Sequence, residues 1–221
     1  MIPDASKAID EFYESLEDTF TQIKRFVKVT SSLQYGLLFP GQTRIPPWKE
    51  RKKYDTTAED YDKYWKLCPP EKFVQQNGGV CWDYVTYIAW YFHNHFPEIN
   101  YDTYYIQFDD NGDSPSHTMF IFSYMGKYYL AECSFKVIAG LYEANNTTDL
   151  INFIITEMDK HYDGAKTAGQ LIKHKFWMVN YNALDSNMYG INCAGFMNYM
   201  FDHGKTFHHN YNKNFNVKKI C

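Results

Sequence analysis

Arginine is nearly missing from this chain: Arg25, Arg44 and Arg51 are the only three in 221 residues, beside 19 lysines. With a formal net charge of −4, the sequence offers no global positive field of the kind that draws a protein to nucleic acid. The lysine clusters at 49–53 and 213–219 read as solvated surface and tail, so no nucleic-acid partner is expected. No apolar run approaches the ~18 residues that a membrane span requires, so no membrane partner is expected either. The start, Met1-Ile-Pro-Asp-Ala, has no basic residues leading into an apolar stretch, which predicts a cytoplasmic protein without a secretory signal. Cys-x-x-Cys is lacking too. The five cysteines (68, 81, 133, 193 and 221) are odd in number and widely spaced, which suits a reducing compartment better than a disulfide scaffold. His93 and His95 stand two apart on a helical stretch and so point to different sides. His203, His208 and His209 lack the spacing of a zinc site. Neither a metal nor another cofactor is expected.

Aromatic side chains are abundant, with 20 Tyr and 17 Phe, and 45 % of residues are apolar, enough for a sizeable core in a single domain. The surplus of Lys, Asn and Tyr over Arg fits an A/T-rich coding sequence, as in many phages, viruses and low-GC bacteria. Ile9, Phe12, Leu16, Phe20, Ile23 and Val27 recur with a period near 3.6, predicting an amphipathic helix over residues 4–29. Residues 36–58, with Pro40-Gly41, Pro46-Pro47 and a charge run, predict a long loop. From Cys81 to Phe92 only Asp83 and Thr86 are clearly polar, so this segment reads as a buried helix with Cys81 in its first turn, directly after Gly78-Gly79. Strands are expected at Tyr101–Phe108, His117–Tyr124 and Tyr128–Phe135, the first two joined through the turn-rich stretch 109–113. A helix capped by Thr147 or Thr148 comes next, to about Tyr162, then a strand within Leu171–Tyr181 and a short helix Cys193–His203 stopped by Gly204. Helix, buried helix, sheet, helix, strand, helix is an α+β pattern. The domain divides into a helical and loop extension (1–66), a core (67–181) and a C-terminal helix and tail (182–221).

A thiol is a nucleophile only as thiolate. The positive end of a helix dipole and a neighbouring imidazole both favour that form, and Cys81 has the first by position. Backbone N–H groups at a helix start also point at any oxyanion that forms there. His117 is the candidate base because of its relation to the strand after it. If the hairpin between them turns through Met125-Gly126 as a two-residue loop, Met119 faces Glu132 and His117 faces Ser134. His117 and Glu132 then share one face as diagonal neighbours, and Glu132 reaches the imidazole Nδ1. A three-residue loop would turn Glu132 to the opposite face. In the first register Cys133 lies on the side away from His117 and reads as core.

Gly79-Val80-Cys81-Trp82-Asp83-Tyr84, His117 36 residues after Cys81, and Glu132 closing Gly126-Lys-Tyr-Tyr-Leu-Ala-Glu132 together resemble the transglutaminase-like superfamily over roughly residues 72–136. That family has Cys at a helix start, His opening a strand and an acid ending the next strand; the acid is usually Asp, where Glu132 stands here. Gln75, six positions before Cys81-Trp82, resembles the oxyanion-hole Gln of papain-like proteases. The resemblance implies an α+β, papain-like (transglutaminase-like) core, with a buried Cys-bearing helix packed on an antiparallel sheet and an N-terminal helix added. It implies a thiol hydrolase, a peptidase or amidase acting on protein or peptide, with Cys81, His117 and Glu132 as triad and Gln75 at the oxyanion. Gly78-Gly-Val-Cys-Trp-Asp83 is also similar to the arylamine N-acetyltransferase motif, although Asn77 stands where that family has Arg. An acyltransferase or transglutaminase is therefore one alternative; a catalytically idle structural or interaction protein of a phage or virus is another.

Overall fold

Met125 and Gly126 both take left-handed backbone, φ 48° and 74°, in the computed structural model of the chain, which describes residues 18–38, 62–108, 116–161 and 176–221. Two successive positive φ values make a two-residue hairpin loop whose twist matches that of the flanking strands. The strands it joins are β4 (Ser116–Tyr124) and β5 (Lys127–Glu132). Their ladder runs from Tyr124↔Lys127 to Ile121↔Leu130, so the two-residue register holds and its phase leaves His117 and Glu132 on one face. β5 stops three residues short of the expected Phe135. The backbone bends after Glu132 so that the N–H groups of Ser134 and Phe135 can donate to the Glu132 carboxylate, at 2.9 and 2.8 Å.

The protein is mixed α+β, with five α-helices, one 3-10 helix and a seven-stranded antiparallel sheet among the described residues. The helices are α1 (Thr19–Ser32), α2 (Pro70–Gln75), α3 (Cys81–His95), α4 (Thr147–His161) and α5 (Cys193–His203), with the 3-10 turn at Ser186–Met188. The remaining strands are β1 (Gln34–Tyr35), β2 (Gly78–Gly79), β3 (Tyr101–Phe108), β6 (Gly140–Ala144), β7 (Phe176–Tyr181), β8 (Lys205–His209) and β9 (Val217–Lys219). The sheet order is β8-β7-β3-β4-β5-β6-β9. β1 and β2 form a separate parallel pair. Three expectations extend beyond the described residues: the start of the N-terminal helix, most of the 36–58 loop, and residues 109–113. Of the strand expected within Leu171–Tyr181, Phe176–Tyr181 is described.

Both faces of the sheet are covered, which is why successive residues of β4, from Met119 to Phe122, are all buried. Phe120, Phe122, Tyr105, Ala131 and Val179 pack with α1, α2, α3 and α5. Met119, Ile121, Ile106, Leu130 and Met178 pack instead with α4 through Leu150, Ile151, Ile154 and Ile155. At roughly 25 cal/mol per Å² of apolar surface, burial of this many large side chains dominates the favourable side of folding. Lys136 fastens α1 to the rest: its ammonium donates to the carbonyls of Ser31 (2.9 Å) and Cys133 (2.7 Å) and to the Tyr84 hydroxyl (2.9 Å). Burial pushes this lysine down to about 8. Among the described residues no helix is long and apolar enough to cross a membrane.

The C-terminal segment differs from a simple helix and tail. It supplies both edge strands, β8 against β7 and β9 against β6. Each covers a neighbour's unpaired backbone groups while exposing most of its own side chains, so the polar sequence there signals an edge rather than a lack of structure.

Candidate active site

Cys81 opens α3 with Val80 as the residue before the helix, and it is 7 % exposed. The first helical bond within α3 runs from Tyr84 N–H to Val80 O at 3.2 Å. The N–H groups of Cys81 and Trp82 precede that bond and have no acceptor inside the helix, which concentrates positive potential around the sulfur.

The approach to the thiol explains the glycine pair. Gly78 has φ +115°, and a Cβ there would lie 1.9 Å from the carbonyl oxygen of Gln34. A Cβ on Gly79 would lie 2.5 Å from the side chain of Asp83. Glycine is thus needed at one position by β1 and at the other by the helix itself. Asp83 is 4 % exposed, and its carboxylate accepts from Val80 N–H at 2.9 Å, Trp65 Nε1 at 3.0 Å and Cys68 N–H at 3.3 Å. It closes the helix start and ties residues 65–68 to it. Residues 65–68 in turn pair with the chain just before α5, through Leu67 N–H to Ile191 O at 3.2 Å and Gly190 N–H to Leu67 O at 2.9 Å.

His117 and Glu132 meet as their parity predicts. The imidazole Nε2 stands 2.7 Å from Glu132 Oε2, with His117 6 % and Glu132 2 % exposed. The expectation named Nδ1 for this contact; the ring is turned the other way, so Nε2 takes the carboxylate and Nδ1 is left for the thiol. Strand phase fixes which face a side chain occupies but not the rotation of its ring, and that accounts for the difference. Glu132 is itself held: Oε1 accepts from the Ser134 N–H and hydroxyl, each at 2.9 Å, and from Phe135 N–H at 2.8 Å. Phe135 also packs edge-on against the imidazole, ring centres 6.0 Å apart.

The Cys81 sulfur lies close enough to the His117 ring to favour its charged form. Burial opposes charge on this imidazole, yet the Glu132 carboxylate and the Cys81 sulfur outweigh it and hold the ring up at about 10. Burial likewise opposes charge on Glu132, but the imidazolium and the donors from Phe135 and Ser134 keep its carboxyl below the usual range. Each partner's charge stabilises the other's, and the sulfur completes the cluster.

Three further groups flank Cys81 and were not singled out from the sequence. Burial chiefly pushes the phenols of Tyr105 and Tyr181 up, and the Cys81 sulfur adds to the shift of each. Cys193, at the start of α5, is raised to about 12 by burial, then by Asp62 and Cys81. All three come from strands or helices far away in sequence, so spacing offered no signal for them. Cys133 is 1 % exposed, and its thiol points at Val27 O, 3.7 Å away, in the core as its phase predicts. Gln75 ends α2 with an exposed side chain, and among the described residues no hydrogen bond ties it to Cys81. Among the described residues no group of three or more His, Cys, Asp and Glu side chains is arranged to hold a metal ion. No protein-family model matches the chain and no curated protein matches it, so a functional reading rests on these residues and their geometry.

Proposed function

We propose that this protein is a thiol hydrolase, a peptidase or amidase with a papain-like (transglutaminase-like) core, working through Cys81, His117 and Glu132. One observation carries the reading: a cysteine at a helix start shares a buried cluster with an imidazole whose other nitrogen is bound to an oriented carboxylate. A structural cysteine needs none of these partners, and a buried imidazole–carboxylate pair is costly to desolvate unless something uses it.

In the proposed reaction the Cys81 thiolate attacks an amide carbonyl carbon, forming a C–S bond and pushing the carbonyl electrons onto oxygen. The N–H groups at the start of α3 stabilise that oxyanion. As the intermediate collapses, the C–N bond breaks and the departing nitrogen takes its proton from His117. Water then attacks the thioester, giving up a proton to His117; the C–S bond breaks, and the carboxylic acid leaves. Glu132 holds the ring in position throughout and stabilises its charged form. Gln75 would be a second oxyanion donor on the papain resemblance alone.

The Gly-Gly-x-Cys motif shared with arylamine N-acetyltransferases does not separate the two readings, because packing against Gln34 and Asp83 already demands both glycines. Treatment with iodoacetamide at pH 6, followed by mass measurement of the intact protein and its peptides, tests the site. One equivalent at Cys81, abolished in His117→Ala, is the expected result. Indiscriminate or absent labelling at Cys81 would leave an idle fold. A mass gain of one acetyl group on incubation with acetyl-CoA would turn the reading towards transfer.

A further inference from the structure

The peptide unit between Cys133 and Ser134 is gripped at both ends. Its oxygen accepts from the Lys136 ammonium at 2.7 Å, and its N–H donates to Glu132 Oε1 at 2.9 Å. In a trans peptide these two groups point in opposite directions, so one rigid plane separates the ammonium from the carboxylate. Glu132 Oε2 in turn meets His117 Nε2 at 2.7 Å. Cation, peptide dipole, carboxylate and imidazole therefore form one line of hydrogen bonds, leading from the loop after β5 to the ring.

The ammonium is fully engaged. It has three protons to donate, and its other two acceptors are the Ser31 carbonyl and the Tyr84 hydroxyl, each at 2.9 Å. That hydroxyl donates its own proton to Leu33 O at 2.7 Å. Ser31 and Leu33 lie at the end of α1, where unpaired carbonyls favour a cation. The ionisable groups facing Lys136 are Cys133 and Glu132 from its own loop and Tyr84 from α3, while α1 presents the Ser31 carbonyl. Burial brings the lysine down to about 8 against the pull of Cys133 and Glu132, so it is charged at neutral and acid pH.

Holding the end of α1 would need only the bonds to Ser31 and Tyr84. The third bond is aimed at the peptide whose N–H reaches the acid. A cation on the carbonyl polarises that peptide, and a polarised N–H is the stronger donor. The same charge favours the anionic form of the carboxylate behind it.

We propose that Lys136 is a positioning residue of the catalytic site, acting through the Cys133–Ser134 peptide to hold Glu132 as an oriented carboxylate against His117. This rests on the reading of Cys81, His117 and Glu132 as a triad and extends it by the group behind the acid. Lys136 keeps its protons throughout the reaction.

Lys136→Met removes the charge at nearly constant length, and Lys136→Arg keeps the charge in a different shape. Acylation of Cys81 by p-nitrophenyl acetate, followed as single-turnover release of p-nitrophenol, is measured from about pH 4 to about pH 8. The rate rises as the thiol ionises beside the imidazole, and loss of a nearby positive charge moves that rise to higher pH. The expected result is a midpoint about half a pH unit higher in Lys136→Met and restored in Lys136→Arg, independent of any change in melting temperature. An unchanged midpoint in folded Lys136→Met would overturn the proposal and leave the triad in place, with Lys136 a fastener of α1 alone. An equal shift in both variants would also overturn it, because charge would then not be the agent. The wild-type protein gives a check that needs no substitution. Its Ser134 amide proton is expected to move upfield in nuclear magnetic resonance spectra as the Lys136 ammonium is titrated, and an amide that stays in place would overturn the proposal. Failure of the wild type to be acylated at Cys81 would overturn the reading of the triad and this inference with it.

Discussion

Trp65 Nε1 donates to Asp83 Oδ2 at 3.0 Å across 18 residues of chain, and this bond joins the segment leading to α2 with the helix that carries the thiol. The same oxygen accepts from Val80 N–H, so one buried carboxylate holds both the outside and the inside of the helix start.

Replacing Asp83 with Ala strips acceptors from Trp65, Val80 and Cys68 together. Buried donors left unpaired cost more than the bonds they lose, and a destabilisation of about 3 kcal/mol is expected from urea unfolding. Asp83→Asn keeps a carbonyl oxygen for Val80 or Trp65 and should cost about half as much. A loss below about 0.5 kcal/mol in Asp83→Ala would show that the carboxylate is dispensable at this corner.

The imidazole and carboxylate of the cluster make stability depend on pH in opposite senses. His117 is raised from its ordinary 6.5 to about 10. Its contribution is complete below 6.5 and drains away as pH climbs towards 10, where the folded protein still holds a proton that the unfolded chain has released. Glu132 is lowered from its ordinary 4.5, so its contribution is complete above 4.5 and is lost as pH falls through the folded value. The pair is most stabilising between those two ordinary values. Unfolding free energies of wild type and His117→Gln, taken at pH 5.5, 7.5 and 9.5, should converge as pH rises. A gap independent of pH would mean that the ring is neutral in the folded protein.

Gly78 and Gly126 both have positive φ, but only Gly78 also faces a collision. Gly78→Ala must move the Gln34 carbonyl as well as strain its own backbone, and it is expected to lower stability by at least about 2 kcal/mol and to slow acylation at Cys81. Among the described residues nothing lies within 4 Å of where a Gly126 Cβ would sit, so Gly126→Ala should cost only the ~1 kcal/mol of a left-handed alanine and leave the site unaffected. Thermal melts with the p-nitrophenyl acetate assay check both; equal losses in the two variants would refute the crowding at Gly78.

Much of the site could be read from the chain because its parts obey local rules. Met125-Gly126 set the loop length, the loop length set the phase, and the phase brought Glu132 to His117 and sent Cys133 into the core. Gly78-Gly79 and the apolar run after Cys81 marked the helix start. Ring rotation was not legible, nor were the phenols of Tyr105 and Tyr181, because these depend on side-chain packing between β3, β7 and α3, which no short window of sequence contains. β6 begins at a glycine of φ +153° and runs five residues, too short for alternation to register. β8 and β9 show their neighbours mostly backbone, and their side chains carry little apolar signal.

Those last two strands have a consequence for how the molecule is put together. β8 and β9 belong to one stretch of 15 residues, 205–219, yet they lie on opposite margins of the sheet, beyond β7 and beyond β6. The same short ribbon thus seals both flanks. Until it is laid down, two rows of backbone amides and carbonyls stand open to any passing chain, and peeling it away would unfasten the sheet from left and right at once.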